Sequence, residues 1–195
     1  MSTTPSQLLL QDALARESEA HRLLLGGEAE RAARPLREAA ALYRSSWEEA
    51  GPRSYGRLIG MLKAAVLGGG GEEEAAYTLE QVGDEPDSPT ASYAVALAAL
   101  VRGDDPLARR AVAGMREDSD AFARTAEAID AVAAGDGDRY ADALGAILAD
   151  FEGRDEHLTG VAIADTAMVL QRLAECRGIA AQVGSPVLPA AAGSE

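Results

Sequence analysis

The chain contains a single cysteine, Cys176, and this scarcity excludes an internal disulfide framework. Unpaired thiols are typical of reducing compartments, so the sequence predicts a cytoplasmic protein. Leu173 and Ala174 precede Cys176 in a stretch with helical periodicity. This setting favours a small buried residue over a reactive nucleophile.

Strand-forming and aromatic residues are also scarce. The chain has 10 Val and 5 Ile against 42 Ala, and only 4% of its residues are aromatic. Alanine has the highest intrinsic helix propensity, whereas β-branched and aromatic residues favour strands. The composition therefore predicts an all-α fold whose core consists of closely packed Leu, Ala and Val.

Long apolar runs are absent as well. The longest one spans residues 94–101, whereas a helix that crosses a bilayer needs about 20 apolar residues. The first six residues lack the basic and apolar regions of a secretory signal. We therefore expect neither a membrane span nor a cleaved leader.

Positive charge is limited, because Lys63 is the only lysine and the formal net charge is −14. Nucleic acids and anionic membranes are bound by Lys/Arg patches, so we expect neither as a partner. An acidic surface favours a protein or peptide partner of basic character. The alternative is that the charge only keeps the surface solvated.

Four glycines recur along the chain in a similar context. The residue five positions after the glycine is small in three copies and is a tyrosine in a weaker fourth copy. The glycines are Gly27, Gly70, Gly103 and Gly135, and they lie 43, 33 and 32 residues apart. The second and third spacings are close to the period of about 34 residues that tandem helical hairpins show. The marker residues are Ala32, Ala75, Ala108 and Tyr140.

Apolar residues keep the same register around these glycines. They occur three residues before each glycine (Leu24, Leu67, Leu100 and Val132), nine residues after it (Leu36, Leu79, Val112 and Leu144) and twelve residues after it (Ala39, Val82, Met115 and Ile147). The residue seven before the glycine is Ala20, Lys63, Ala96 or Ala128, so Lys63 alone is not small. Each unit thus predicts a first helix, a Gly turn and a second helix, each with an inward apolar stripe.

The order of Ala20, Gly27, Ala32, Leu36 and Ala39 resembles the tetratricopeptide family, and the resemblance covers residues 7–152. The aromatic positions and terminal proline of that family are mostly not matched. The resemblance implies a tetratricopeptide-like α-solenoid of antiparallel helical hairpins, with about nine helices in one domain over residues 1–189. It also implies a concave face, formed by the first helices, that binds a peptide or protein.

Local signals place several helix ends. Ser88, Asp105 and Ser119 are predicted N-caps, the first two because a proline follows each. The long second helix is predicted over residues 29–50, where Pro35 requires either a kink or a start near Arg34. Residues 158–177 predict one last helix that closes the end of the array, followed by a frayed tail at 190–195.

No motif predicts catalysis, a metal or a cofactor. His21 and His157 are 136 positions apart, and an extended array would keep them separate. Acidic residues around His157 could bind a hard cation, although a solvated loop explains them equally. The four glycines at 68–71 precede three glutamates, which suit a helix start rather than a phosphate site. We therefore expect a protein that is not an enzyme, with no cofactor.

The few aromatic residues suggest where a partner binds. Tyr43 and Trp47 are four residues apart on one predicted helix face, so we expect them to stack side by side. They form either a packing contact or an exposed anchor, since Trp and Tyr often concentrate binding energy. The candidate partner-binding residues are Tyr43, Arg44, Trp47, Arg53, Tyr55 and Arg57.

Three functions remain open from the sequence. The first is a protein- or peptide-binding repeat module. A second follows from residues 160–189, whose closing helix, Cys-Arg-Gly and Ser-Pro-Val-Leu-Pro ending resemble helical immunity proteins of high-GC bacteria. That resemblance implies occlusion of a basic toxin. The third is a structural or regulatory component of a larger assembly, and the oligomeric state is not predicted.

Overall fold

Nine α-helices and no strands are found in residues 3–116 and 118–189, the part of the chain that the computed structural model describes. The helices are α1 (Pro5–Leu25), α2 (Ala29–Glu48), α3 (Gly56–Leu67), α4 (Glu72–Val82), α5 (Pro89–Val101), α6 (Asp105–Ala111), α7 (Asp120–Ala134), α8 (Gly137–Glu152) and α9 (Asp165–Glu175). A short 3-10 helix, Val112–Met115, follows α6. The prediction of an all-α fold with about nine helices is confirmed.

Side-chain caps explain where several helices begin. Ser88 and Ser119 accept hydrogen bonds from backbone amides three residues ahead, so both predicted N-caps are confirmed. The cap of α6 is Asp104, one residue before the predicted Asp105. Gly27 and Gly135 have φ values of 75° and 68°, which let the chain reverse direction after α1 and α7.

The repeat register predicts burial well. The residues five after each glycine, including Tyr140, are fully buried. The residues three positions before each glycine are also buried. Among the residues nine and twelve positions after each glycine, only Leu79 and Val82 in α4 are partly exposed. Buried apolar residues from all nine helices belong to one hydrophobic cluster. The inward stripes inferred from the sequence therefore form a continuous core.

Consecutive helices contact one another, and α5 lies between α3 and α7, contacting both. The first helices of successive pairs, α1, α3, α5 and α7, together with α8, contribute residues to the lining of one cavity, and we call this side of the molecule the first-helix face. The arrangement as repeated hairpins and the tetratricopeptide resemblance remain predictions.

Helix α2 begins at Ala29, as predicted, and runs through Pro35, which rules out the alternative of a late start near Arg34. Two other predictions are wrong in detail. The last helix begins at Asp165 rather than residue 158, since the preceding stretch contains Gly160 with a φ of 69°. Cys176 caps the end of α9 and is exposed, so the buried position predicted for it is also wrong.

Helix α9 does more than close the end of the array. It contacts α7 and α8, the last pair, but it also reaches α3. An ion pair between Lys63 of α3 and Asp165 at the start of α9 joins the two helices. The predicted frayed tail, residues 190–195, lies outside the described residues. In the described part of the chain, no helix has the length and apolar character needed to span a bilayer.

Candidate functional site

Ionisable residues are concentrated beneath the first-helix face. Lys63 and Asp165 form an ion pair in which each side chain is only 15% exposed. The Lys63 ammonium also donates a hydrogen bond to Thr166 Oγ1 at 3.2 Å. The pair connects the middle of α3 to the first turn of α9, at a depth where few charged groups are found.

Two residues of α1 lie next to this pair. Glu17 is 2% exposed and accepts a hydrogen bond of 2.7 Å from the Tyr43 hydroxyl. His21 is 1% exposed, and its Nδ1 lies 3.0 Å from Thr159 Oγ1. Its Nε2 has no hydrogen-bond partner, and the nearest carboxylate oxygen, Glu17 Oε1, is 4.0 Å away. We call Glu17, His21, Tyr43, Lys63 and Asp165 the buried cluster.

Burial sets the protonation states of the cluster. It raises the pKa of Glu17 to about 7, and the nearby Asp165 charge adds to the shift. Burial lowers the pKa of His21 to about 4, so its imidazole is neutral at pH 7. Burial alone would also raise the pKa of Asp165, but the Lys63 charge offsets this and leaves that pKa below its ordinary value. Lys63 and Asp165 thus stay ionised.

A largely non-helical stretch lies next to the α1 and α3 members of the buried cluster and contributes its last member, Asp165. It comprises residues 157–166, which we call the crossing segment, and it ends with the first two residues of α9. Ser18 Oγ donates a hydrogen bond of 2.8 Å to the Thr159 carbonyl oxygen, and the Ala164 amide donates one of 2.8 Å to the Val187 carbonyl. The segment therefore lies against α1 on one side and is tied to the end of the described chain on the other.

Two cavities flank the crossing segment, and both are lined by Glu17, Lys63, Leu158 and Asp165. The α1–α3 cavity has a volume of about 330 Å³. The α7–α8 cavity has a volume of about 210 Å³. Residues of the segment therefore border both cavities.

The two histidines lie closer together in space than the sequence suggests. His21 and His157 both line the α7–α8 cavity, although an extended array was expected to keep them apart. The crossing segment brings His157 back towards α1. The described residues contain no group of three or more His, Cys, Asp or Glu side chains placed to hold a metal ion. The acidic residue Asp150 pairs instead with Arg124 and Arg154.

Tyr43 is 3% exposed, so of its two predicted alternatives the structure shows the packing contact rather than an exposed anchor, although Tyr43 also lines the α1–α3 cavity. Its ring lies against α3 at Gly60, where an added Cβ would come within 2.7 Å of the ring carbons. This close approach brings the hydroxyl to Glu17. Trp47 stacks on Tyr55, with ring centroids 5.6 Å apart, rather than on Tyr43 as predicted.

The predicted arginines have different partners. Arg44 lies 4.0 Å above the Tyr77 ring and pairs with acidic side chains, while Arg53 pairs with Asp87 at 2.9 Å. Arg53 is the one non-glycine residue of the described chain with a positive φ, at 67°. Arg57 donates hydrogen bonds to Ser46 and Ser6. Arg53 and Arg57 both line the α1–α3 cavity, whereas Arg44, Trp47 and Tyr55 do not.

Sequence reasoning missed the buried cluster as a site. The available signal was Lys63, the only lysine, at a position where the other units have alanine. In the other units a small residue packs between helices at this position. The Lys63 side chain lies there instead, so its ammonium group needs a nearby anion. No spacing in the sequence indicates that this anion is Asp165, 102 residues later.

Comparisons with protein-family models, with curated proteins and with solved structures give no match.

Proposed function

We propose that the protein is a non-enzymatic binding module that takes an apolar segment of a partner protein, with a neighbouring carboxylate, into the α1–α3 cavity. The observation that carries the proposal is the composition of the cavity wall. Leu10, Leu14 and Ile59 supply its apolar side, its cations are Arg53, Arg57 and Lys63, and its carboxyl groups are those of Glu17 and Asp165. A volume of about 330 Å³ lies within the usual range of about 300–1,000 Å³ for ligand sites.

Arg57 indicates the charge of the bound segment. Most arginines of this acidic chain pair with a carboxylate, but within the described residues Arg57 contacts only the hydroxyls of Ser46 and Ser6. A guanidinium has five N–H donors, so several remain for a ligand. Arginine binds carboxylates through two parallel hydrogen bonds, which favours an Asp, a Glu or a chain terminus in the partner.

Selection from a displayed library of random twelve-residue peptides on the full-length chain tests the proposal. The selected peptides are expected to carry two or three apolar residues beside an acidic one. Arg57→Gln should weaken their binding at least tenfold, a change of about 1.4 kcal/mol. Arg22→Gln is the matched control, because Arg22 is exposed on α1 and lines neither cavity. Equal affinities for the wild type and Arg57→Gln would refute the proposal.

A second candidate is occlusion of a basic toxin, as the immunity-protein resemblance implies. The distribution of charge favours this candidate. Most arginines form ion pairs within the chain, and the acidic residues outnumber the basic ones, so an excess of acidic groups remains on the surface. Selected peptides rich in Lys and Arg would favour this candidate. So would an association rate that falls at least tenfold between 0.1 M and 1 M salt, where the Debye length shrinks from about 10 Å to about 3 Å.

A further inference from the structure

Two buried imidazole nitrogens at the α7–α8 cavity have no hydrogen-bond partner among the described residues. They are His21 Nε2 and His157 Nδ1, and both histidines line this cavity but not the α1–α3 cavity. His21 is 1% exposed, so bulk solvent does not reach its ring. Buried polar atoms are almost always hydrogen-bonded in native proteins, so two unpaired nitrogens at one cavity indicate a bound molecule that pairs with them.

A hydroxyl group fits the buried end of this cavity. His21 Nε2 and Glu17 Oε1 are 4.0 Å apart, too far for a direct hydrogen bond. An oxygen about 2.8 Å from each would bridge them, with an angle of about 90° at that oxygen. The Thr159 hydroxyl either donates to His21 Nδ1 or accepts from it, so Nε2 is either an acceptor or a donor. A ligand hydroxyl serves both cases, whereas a carbonyl oxygen or an ammonium group serves only one.

Positive charge is in excess around the cavity, although the whole chain carries a net charge of −14. The ion pair between α3 and α9 is neutral as a whole, while Arg124 and Arg154 share one carboxylate, that of Asp150. Burial raises the pKa of Glu17, the remaining acid of the lining, to about 7, so this carboxyl group is protonated below that pH. One positive charge is then left at the two arginines, whose further N–H groups can donate to a ligand carboxylate.

The remaining lining residues are mostly apolar and include two phenylalanines. Phe122, Ile147, Phe151 and Ile163 are among them. An apolar cavity of about 150 Å³ accommodates benzene, so a volume of about 210 Å³ accommodates one ring with two small substituents. Aromatic rings pack favourably against one another in stacked and edge-to-face geometries. The lining therefore favours an aromatic body for the ligand.

We propose that the α7–α8 cavity binds a small aromatic hydroxy acid, with its hydroxyl at Glu17 and His21 and its carboxylate at the two arginines. The arginine side chains are 29% and 37% exposed, so the carboxylate lies nearer the solvent than the hydroxyl does. His157 Nδ1 offers the ligand a further hydrogen bond. This site goes beyond the proposed function, because it takes a small molecule in a different cavity and does not require a protein partner.

An NMR titration of the ¹⁵N-labelled full-length chain tests the site. The probes are 4-hydroxybenzoate, 3-hydroxybenzoate and 4-hydroxyphenylacetate, which differ in the distance between the hydroxyl and the carboxylate. Because the chain has two histidines, the imidazole ¹⁵N signals report directly on the site. At least one probe should bind with a dissociation constant below about 1 mM and shift the His21 Nε2 signal. Benzoate and phenol each lack one of the two polar groups and should bind at least tenfold more weakly than that probe.

Three variants localise the binding. Arg124→Gln removes one of the two cations and should weaken binding at least tenfold. Ala121→Leu fills part of the cavity from the first turn of α7 and should abolish binding. Arg22→Gln is the matched control and should bind as the wild type does, because Arg22 lines neither cavity. Circular dichroism verifies that each variant is folded.

A His21 Nε2 signal that no probe shifts, at concentrations up to tenfold above that limit, would overturn the inference and indicate that water alone pairs with the nitrogen. Equal binding of benzoate would also overturn it, because the hydroxyl would have no role. Loss of binding in Arg57→Gln but not in Arg124→Gln would place the acid in the α1–α3 cavity, which contradicts the inference and not the proposed function. Failure of the peptide selection, in turn, would leave this site standing.

Discussion

Two groups of charged residues in this protein differ in how far their cations are exposed to solvent. The buried cluster brings together two carboxyl groups, one ammonium and one imidazole where the crossing segment meets α1 and α3. Around α7 a surface network, with members on α6, α7 and α8 and at Arg116, holds acids and arginines at distances of 2.9–3.7 Å. Its members are Arg109, Arg116, Glu127, Asp130 and Arg139. The arginines of the network are 41–55% exposed, whereas Lys63 is 15% exposed.

The comparison shows how burial changes the energetic cost of removing one partner from a group of charges. In the surface network Asp130 has three arginine partners, so the loss of one is compensated by the others and by water. In the buried cluster Asp165 has Lys63 as its one ion-pair partner, and Glu17 and His21 have pKa values far from their ordinary ones. Surface pairs stabilise a fold weakly, while a buried charge that loses its partner is costly. The buried cluster is therefore the sensitive region.

Substitution of one cation in each region should give the largest contrast. Lys63→Met leaves Asp165 buried without its ion-pair partner and should lower the free energy of unfolding by about 3–5 kcal/mol. Arg109→Met removes an exposed arginine from a network with two others and should cost less than about 1 kcal/mol. Urea unfolding of the two variants and the wild type gives the values. Similar losses would show that the two regions do not differ as burial implies.

The pH dependence of stability should reveal two opposing slopes inside the buried cluster. Glu17 has a raised pKa, so its favourable contribution is complete below pH 4.5 and is lost as pH rises to about 7. His21 has a lowered pKa, so its contribution is complete above pH 6.5 and is lost as pH falls to about 4. Between pH 4.5 and 6.5 the folded wild type binds one proton on Glu17, and the unfolded chain binds one proton on His21. Because both states bind the same number of protons, the free energy of unfolding of the wild type should stay nearly constant across this range.

Single substitutions should uncover each slope. Relative to the wild type, Glu17→Gln should become more stable as pH rises from 4.5 to 6.5, and His21→Gln should become less stable. pKa shifts of this size correspond to a change in the free energy of unfolding on the order of 3 kcal/mol between pH 4.5 and 6.5. Urea unfolding at several pH values provides the measurement, with Glu127→Gln of the surface network as the control. Parallel pH profiles for all four proteins would contradict the assigned protonation states.

The smallest effect is expected at Cys176, which belongs to neither region. Its thiol is exposed at the end of α9, so it should react with a thiol reagent at nearly the same rate in the native and the denatured protein. Cys176→Ser should change stability by less than about 0.5 kcal/mol. A native rate that is slower by two orders of magnitude would indicate that the end of α9 is covered.

The sequence predicted the helices, most caps and the inward stripes because these depend on local chemistry. Leu24, Gly27 and Ala32 are fixed by helical periodicity and by a backbone conformation that glycine favours. Ser88 could be identified as a cap because its hydroxyl bonds an amide only three residues away. Such contacts require no knowledge of the tertiary arrangement.

The site could not be predicted in the same way because its partners lie far apart in the chain. Ser18 and Thr159 are separated by 141 residues, and no local pattern relates them. Tyr43 and Trp47 share a helix face, yet periodicity does not tell which of the two faces α3, and Tyr43 fits there because of Gly60. The exposure of Cys176 likewise depends on where α9 ends, a boundary that sequence reasoning places only within a few residues.

Hydrogen exchange measured by NMR on the full-length Asp165→Asn variant tests most directly whether the Lys63–Asp165 pair holds the crossing segment in place. The Ile163 and Ala164 amides report on the segment, since they donate hydrogen bonds to the Val161 and Val187 carbonyls, and the amides of α8 report on the core. Our account predicts that protection of the two segment amides falls at least tenfold more than protection in α8. An equal loss in both places would mean that the segment opens only with the whole protein, and would contradict the account.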